Sequence, residues 1–348
     1  MNEGWREMCL SEVICLQRGH DLPRSDMFYG KYPVAGSNGI IGYHNKYTTI
    51  GPGITIGRSG NIGLINYYEQ NFWAHNTTLY STKFIDSHPK FVFYLFKTID
   101  FSILNSGSAV PSLNRNHLYK LKLLIPPIDE QIAISSVLSS LDDKIDILRR
   151  QNATLESMAE ALFRQWFIVE AQDDWVDCEL GNLFSISNGK SLKNEMFSDT
   201  GIYPVLGANG IIGRCNEFLF DEKLIYTGRV GSLGNVFIVN DKAWLSDNTL
   251  VFTNIKYFYF VYFILKSINF EDYNVGSTQP LIRQSDIKGI EIKLPSEIAL
   301  NRFEIICDKL FYKIKLNQVQ IYTLEKLRDT LLPKLMSGEI RVRCDEGS

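Results

Sequence analysis

An internal duplication is the sequence feature that most limits how this chain can fold. The segment YPVAGSNGIIG, which begins at Tyr32, returns as YPVLGANGIIG from Tyr203, and nine of eleven positions agree at an offset of 171 residues (203 minus 32). At the same offset, IGRSGNIG from Ile56 returns as TGRVGSLG from Thr227. Because the agreement continues through most of each half of the chain, the repeat predicts two copies of one whole domain.

Each copy has the signals of a strand-rich domain. β-Branched and aromatic runs, such as YTTIGPGITIGRSG from Tyr47, are interrupted at short intervals by Gly and Asn, as in short strands joined by turns. One aromatic-rich helix per copy is predicted, over 89–98 and 255–268. The glycines either only permit the positive φ of tight turns or also let backbone N–H groups approach a phosphate. No nucleotide-binding loop is present, so nucleotide binding is not predicted.

A long uninterrupted helix is predicted after each copy. Asp129 to about Ile168 contains neither Gly nor Pro, and apolar residues recur there at alternating spacings of four and three. A similar stripe returns 169 residues later. Two such stripes are buried most simply against each other, which favours an antiparallel coiled coil and a pseudo-two-fold relation between the halves. The predicted pairing residues are Leu141, Ile145, Leu148, Asn152, Leu155, Ile314, Asn317, Ile321 and Leu324.

Each stripe contains a central amide, Asn152 in the first and Asn317 in the second. An a position meets a d position in an antiparallel pair, so these amides can face each other and fix the register at some cost in stability. Alternatively, both lie at solvated edges. The predicted fold class is α+β, with two similar strand-rich domains and two long helices. The predicted segments are 1–127 and 171–296 for the domains, and 128–170 and 297–348 for the helical spacers.

Composition sets limits on location and chemistry. With 45% hydrophobic and 22% charged residues, the chain has an ordinary globular composition. It has neither an apolar run of the roughly 18 residues that span a membrane nor a signal-peptide start, so we expect a cytoplasmic protein without a membrane partner. The cysteines and histidines show no ligand spacing, and no metal site is predicted. The net charge of −3 leaves nucleic acid open, because a basic excess can be confined to one face.

The most specific motifs lie in and around the long helices. RDTLLPKLMSGEI, from Arg328, closely resembles the C-terminal ending of the specificity subunits of type I restriction-modification systems. IPPIDEQIAI from Ile125 and ALFRQWF from Ala161 resemble the same family. The resemblance covers essentially the whole chain, as two target-recognition domains that are each followed by a long helix. The second helix opens with EIALN where the first has IDEQI, so its start is less typical.

The resemblance implies a DNA-recognition subunit that is not an enzyme and holds no cofactor. In the family, this subunit selects the double-stranded DNA sequence in a system of phage defence, and each recognition domain reads one half of an asymmetric, bipartite site. Two methyltransferase subunits carry S-adenosylmethionine and methylate adenine. Restriction subunits, where present, translocate and cut DNA with ATP and magnesium. The helices are expected to set the spacing of the half-sites and to dock the methyltransferase subunits.

The residues do not support an enzyme of the methyltransferase or nuclease type. An adenine methyltransferase needs a glycine-rich cofactor loop and an Asn-Pro-Pro-aromatic or similar motif, whereas the single Pro-Pro pair here, Pro126 and Pro127, follows Leu-Ile. A fused methyltransferase-nuclease would need a far longer chain. The alternatives that stay open are a non-enzymatic scaffold whose helices tether partners and a DNA-binding module of another methyltransferase-based defence system.

The duplication also predicts which residues contact DNA. Residues that are identical in both copies cannot encode two different half-sites, so Arg58 and Arg229 fit phosphate positioning, or else cap nearby carbonyl groups. Base reading is expected where the copies diverge, since Arg suits guanine and Asn or Gln suits adenine; surface drift is the alternative. Trp73 and Trp244 are expected in the core. The divergent candidates are Tyr43, His44, Ser59, Asn61, Asn114, Arg115 and Asn116 in the first copy, and Arg214, Ser232, Arg283 and Gln284 in the second.

Overall fold

The computed structural model describes residues 4–101, 112–231, 233–276, 278 and 280–342. The chain divides into two units, of which the first contains Met1–Arg149 and Val319–Ser348 and the second contains Arg150–Gln318. Each unit therefore combines one copy of the repeated domain with a part of each long helix.

The first copy is built from short strands and two short helices. A four-stranded antiparallel sheet has the order β2-β8-β5-β6, and a three-stranded sheet has the order β4-β3-β7, in which β3 and β7 are parallel. β1 pairs with β9. The elements are β1 (Arg6–Cys9), β2 (Ile14–Arg18), β3 (Tyr32–Gly36), β4 (Gly39–His44), β5 (Gly53–Gly57), β6 (Ile65–Tyr68), β7 (Trp73–Ala74), β8 (Thr78–Phe84), α1 (Pro89–Lys97), α2 (Arg115–Leu118) and β9 (Lys122–Ile125).

The second copy repeats this topology after the long helix α3 (Ile128–Arg164). Its sheets have the orders β11-β17-β14-β15, β13-β12-β16 and β10-β18, which match the first copy strand for strand. The elements are β10 (Val176–Glu179), β11 (Ser185–Asn188), β12 (Tyr203–Gly207), β13 (Gly210–Cys215), β14 (Leu224–Gly228), β15 (Val236–Val239), β16 (Trp244–Leu245), β17 (Thr249–Thr253), α4 (Phe258–Ser267), α5 (Gln284–Lys288), β18 (Glu291–Leu294) and the second long helix α6 (Glu297–Met336).

The two long helices run antiparallel within each unit. In the first unit Asp142 contacts Arg328 at 2.8 Å and Arg149 contacts Glu325 at 2.6 Å. Residue numbers thus increase along α3 in the direction in which they decrease along α6. In the second unit Asn152 contacts Asn317, and Phe163 packs against Phe303. The predicted α+β class, with two similar strand-rich domains and an antiparallel pair of long helices, is confirmed.

The ends of the helices differ in detail from the prediction. α4 begins at Phe258 and not at residue 255, because Tyr257 before it has a left-handed backbone with a φ of 57°. α6 ends at Met336, well before residue 348, because Gly338 has a φ of 73° and the chain turns back there. The N–H groups of Gly338 and Ile340 then donate to the last carbonyls of the helix, those of Leu335 and Lys334.

A central amide pair lies in the seam of the second unit. The Asn317 side chain is fully buried, and its Nδ2 donates to Asn152 Oδ1 at 2.8 Å and to Gln151 Oε1 at 3.0 Å. Asn317 therefore does not lie at a solvated edge. Two of the other pairing candidates are buried, Ile145 and Leu148. The other five are partly buried, namely Leu141, Leu155, Ile314, Ile321 and Leu324.

In each unit a side chain on a long helix accepts hydrogen bonds from backbone N–H groups at the start of the domain's aromatic-rich helix. In the second unit the Glu304 carboxylate on α6 accepts hydrogen bonds from the backbone N–H groups of Tyr259 and Phe260 at 2.9–3.1 Å. In the first unit Gln131 Oε1 on α3 accepts from the N–H of His88, which precedes α1. Burial raises the pKa of the Glu304 carboxyl, although the two N–H groups act in the opposite direction.

Substitution of Glu304 is expected to change the pH dependence of stability. A carboxyl whose pKa is raised in the folded state adds stability that is complete below its unfolded pKa of 4.5 and is lost as pH rises through the folded value. Wild type should therefore gain free energy of unfolding relative to Glu304→Gln as pH falls from neutrality towards the unfolded pKa. Glu304→Ala should lose about 1–3 kcal/mol, because two N–H groups lose their acceptor. Urea titrations at several pH values measure both effects, and a pH-independent difference between wild type and Glu304→Gln would contradict the assignment.

Candidate nucleic-acid interface

The arginine of the glycine turn lies beside the divergent polar block in both copies. The Arg58 carbonyl accepts a hydrogen bond from the N–H of Leu113 at 2.9 Å, and the Arg229 carbonyl accepts one from Ile282 at 3.1 Å. These equivalent bonds join segments that are more than 50 residues apart in sequence (113 minus 58). The residues that follow Leu113 and Ile282 are the predicted base-reading candidates, so each copy brings its phosphate candidate and its base candidates together.

The turn itself depends on glycine. A Cβ on Gly57 would lie 1.9 Å from the carbonyl oxygen of Asn61, and Gly60 and Gly63 have φ values of 80° and 81°. Ser59 is partly buried on this turn, and Asn61 is exposed there. The glycines therefore have the conformational role that the sequence predicted for them.

The arginine side chains of the two turns are partly exposed. The Arg58 N–H donates to the carbonyl of Thr77, and the Arg229 N–H donates to that of Asn248, both at 2.8 Å, which fixes the backbone at each position. Within the part of the chain that the structure describes, neither guanidinium group makes a hydrogen bond to a carbonyl.

In the first copy, three of the candidates line one groove together with Arg18, and we call Arg18, Arg58, Asn114 and Arg115 the first cluster. Asn114 Oδ1 accepts from the N–H of Asn116 at 2.9 Å and so caps α2. Arg115 Nη1 donates to the carbonyl of Leu16 on β2 at 3.2 Å, which holds the guanidinium group against that strand. Asn116 is exposed on α2. Three guanidinium groups and one amide thus line one surface.

The equivalent positions in the second copy form the second cluster, which consists of Asn188, Arg229, Arg283 and Gln284. Gln284 Nε2 donates to Asn188 Oδ1 at 2.9 Å, which links the start of α5 to the end of β11. Arg283 is exposed, and Gln284 is partly buried. Ser232, another predicted base contact, lies outside the described residues. The second cluster thus has the same backbone bond as the first and keeps the arginine of the turn, but its other three side chains differ.

The remaining candidates lie on the three-stranded sheets, whereas the clusters lie at strand ends of the four-stranded sheets. His44 is only 6% exposed, its ring stacks on Phe28 and meets Trp73 edge-on, and its Nδ1 accepts from the N–H of Phe28. The predicted base contact of His44 is therefore corrected, because an enclosed ring cannot present its edge to a base. Tyr43 is half exposed.

Arg214 also differs from its prediction. Its Nε donates to the carbonyl of Gly201 at 2.6 Å, and its Nη2 donates to that of Ile202 at 2.5 Å. The guanidinium group therefore ties two segments of the second copy together, which is the capping role that was considered for Arg58 and Arg229. A base contact by Arg214 would have to break these bonds, and this argues against it.

The tryptophans serve the fold of each copy. Trp73 is opposite Val34 in the parallel pairing of β7 with β3, and Trp244 is opposite Val205 in the pairing of β16 with β12. Both are partly buried. Trp244 Nε1 also donates to the carbonyl of Lys190 at 2.8 Å. The tryptophans thus contact the strands of each copy but are only partly buried, whereas the sequence predicted them in the core.

Sequence reasoning missed one position of each cluster, Arg18 in the first copy and Asn188 in the second. Arg18 is opposite Leu79 at the end of β2, and Asn188 is opposite Leu250 at the end of β11. Their offset is 170 residues (188 minus 18), whereas the surrounding glycine blocks follow an offset of 171. An alignment that allows a shift of one residue between the leader strands and the glycine blocks would have found them.

These features define a class of protein in which one strand-rich domain is present twice and each copy is attached to paired long helices. Among the described residues, no group of His, Cys, Asp and Glu is arranged to hold a metal ion. No helix in the described part of the chain is long and apolar enough to cross a membrane.

The sequence pattern described as Type I restriction modification DNA specificity domain matches residues 2–157 and 172–326. The chain belongs to this family. It is 31% identical over 306 residues to the Type I restriction enzyme MjaIX specificity subunit of Methanocaldococcus jannaschii, with 73% of this chain and 69% of the relative covered. It is 24% identical to the putative type I specificity subunit S.MgeORF438P of Mycoplasma genitalium, with 96% and 94% covered.

The fold also has a solved counterpart. The crystal structure of a type I restriction-modification system S subunit from M. genitalium matches with a TM-score of 0.68 and 20% sequence identity, and the match covers 96% of each chain. At this identity the similarity concerns the fold. The predicted resemblance to type I specificity subunits is confirmed by these matches.

Proposed function

We propose that this chain selects the DNA sequence for a type I restriction-modification complex, with each recognition domain reading one half of a bipartite site. The observation that carries the proposal is the pair of clusters, in which Arg58 and Arg229 are the same in both copies and the neighbouring side chains differ. A shared arginine suits a phosphate, which carries no sequence information, whereas divergent side chains suit bases that differ between half-sites.

The long helices fit the role of a spacer. Salt bridges in the first unit and the buried Asn152–Asn317 contact in the second fix the register of the pair at several points. A fixed register holds each domain at a constant place along the helices, and dimeric DNA readers set the distance between half-sites in the same way. The exposed faces of the helices are then available to the methyltransferase subunits.

The catalytic steps of the complex are assigned to the partner subunits of this chain. This chain acts as a non-catalytic subunit in the cytoplasm, two methyltransferase subunits supply S-adenosylmethionine, and restriction subunits, where present, supply ATP and magnesium. Because these partners share in neutralising phosphates, a net charge of −3 on this chain is compatible with DNA binding. The subunit alone should bind DNA weakly and gain affinity and selectivity on assembly.

Removal of the shared arginines tests the phosphate role. In the assembled methyltransferase complex, Arg58→Ala and Arg229→Ala should each weaken DNA binding by about tenfold, similarly for cognate and non-cognate duplexes. The slope of log affinity against log salt should fall by about one in each variant, because one phosphate contact is lost. Fluorescence anisotropy over a salt series measures both quantities.

Lys83→Ala is the matched control, because Lys83 is exposed on β8 and lies outside the first cluster. It removes the same charge and should leave affinity and salt slope near their wild-type values. An unchanged affinity in both arginine variants, or a change confined to one DNA sequence, would contradict the phosphate role.

A further inference from the structure

The last residues of β2 and β11 occupy one place in the repeated fold but carry different chemistry. Arg18 and Asn188 are opposite Leu79 and Leu250, which are themselves equivalent at the offset of 171 (250 minus 79). In the second copy the strand end contacts the first residue of the short helix, Gln284. In the first copy Arg18 lines the same groove as Arg115, which is the first residue of α2 and so is equivalent to Gln284. Two arginines thus stand where the second copy has two amides.

The amide pair of the second cluster is organised for a base that offers both a donor and an acceptor. The bond from Gln284 Nε2 to Asn188 Oδ1 uses one amide hydrogen and one carbonyl oxygen. Beyond this bond, the side-chain carbonyl of Gln284 can accept a hydrogen bond, and the side-chain amides of both residues have N–H groups that can donate. Adenine presents an acceptor, N7, and a donor, the N6 amino group, in the major groove. The pair is therefore complementary to adenine.

The guanidinium pair of the first cluster has the opposite preference. A guanidinium group has donors only, so it matches the O6 and N7 acceptors of guanine and has no atom that can accept a hydrogen bond from the adenine amino group. Arg115 is oriented by its bond to the carbonyl of Leu16. Arg18 Nη2 lies 3.8 Å from Asp21 Oδ1, and both side chains are more than half exposed. Such an exposed ion pair is weak, so breaking it to let Arg18 contact a base costs little free energy.

A role in phosphate binding alone does not account for the difference. The backbone contact is already supplied in both copies by the identical arginines, Arg58 and Arg229. At the positions of Arg18 and Arg115, two charged groups are exchanged for two neutral amides that bond to each other, whereas Arg283 replaces Asn114 and adds a charge in the second copy. Hydrogen-bond polarity is what changes between the copies, and it is the property by which the major groove is read.

We propose that Asn188 and Gln284 together read an adenine in one half-site, and that Arg18 and Arg115 read a guanine in the other. This inference rests on the proposed function, since it assigns bases to the halves of the same site. The two copies thus use one backbone frame to read different purines.

The experiment profiles adenine methylation in cells that make the chain with its methyltransferase subunits. Asn188→Ala and Gln284→Ala should each lower the preference for adenine at one position of one half-site by about 5- to 150-fold, and the other half-site should stay unchanged. Arg18→Ala should relax a guanine position in the other half-site. Ser187→Ala is the control, because Ser187 is exposed on the same strand and its side chain points to the opposite face.

A second measurement covers variants that methylate too weakly to profile. Duplexes in which 7-deazaadenine replaces each adenine of the half-site in turn lack the N7 acceptor, and binding is measured with the purified complex. One substitution should weaken wild-type binding and have no further effect on the variant that lacks the donor to N7, Asn188→Ala or Gln284→Ala. If the wild-type chain gives no bipartite motif, the proposed function fails. If the motif is bipartite and neither amide variant relaxes an adenine, or no deazaadenine effect depends on Asn188 or Gln284, the inference alone is overturned.

Discussion

Phe303→Ala is expected to lower the free energy of unfolding of the second unit by about 3–5 kcal/mol. The ring is fully buried on α6. It packs against Phe167 at a centroid distance of 5.1 Å and against Phe163 and Phe263 at 6.2 Å and 6.1 Å. Phe163 and Phe167 belong to the α3 side of the seam and Phe263 belongs to α4, so one ring joins both long helices to the recognition domain. Its removal leaves a cavity that rigid neighbouring rings cannot fill.

Chemical denaturation of the isolated subunit measures this loss. Ile305→Ala is the matched control, since Ile305 lies two residues further along the same helix and is 59% exposed. It should change the free energy of unfolding by no more than about 0.5 kcal/mol. An equal loss in the two variants, or a loss below about 1 kcal/mol for Phe303→Ala, would show that the aromatic cluster does not join the helices to the domain.

The parts of the fold that sequence predicted are those that local patterns determine. The 171-residue repeat predicted two copies with one topology, and the strand orders of the two copies are the same. The heptad stripe predicted long paired helices, because a period near 3.5 residues places apolar side chains on one face. The amide pair of Asn152 and Asn317 was among the alternatives because an antiparallel pair sets an a position against a d position.

The arrangement of the candidate site was only partly predictable. That Arg58 and Asn114 share a surface depends on the backbone bond from Leu113, and no local pattern indicates which distant segments such a bond will join. The burial of the His44 side chain could not be predicted from the sequence either. His44 follows an exposed tyrosine in a polar stretch, and only the packing of Phe28 and Trp73 around its ring shows that the side chain is enclosed.

Exchange of a whole recognition domain has the largest expected effect on function. Replacing 5–127 by a copy of 175–295 gives a chain with two second-type domains. Because each domain is proposed to read its own half-site, the half read by the first domain should be replaced completely, whereas the point variants relax single positions. The reciprocal exchange, which places a copy of 5–127 at 175–295, is the control for any general loss of folding or assembly.

Methylome sequencing of cells that express wild type and the two exchanged chains, each with its methyltransferase subunits, tests the account most directly. Wild type should methylate adenine in a motif with two unlike halves separated by a constant spacer. In each exchanged chain both halves should carry the bases of the domain that is now present twice, and the spacer should stay constant. Methylation of an unchanged motif, or simultaneous change of both halves, would contradict the claim that each domain reads one half-site.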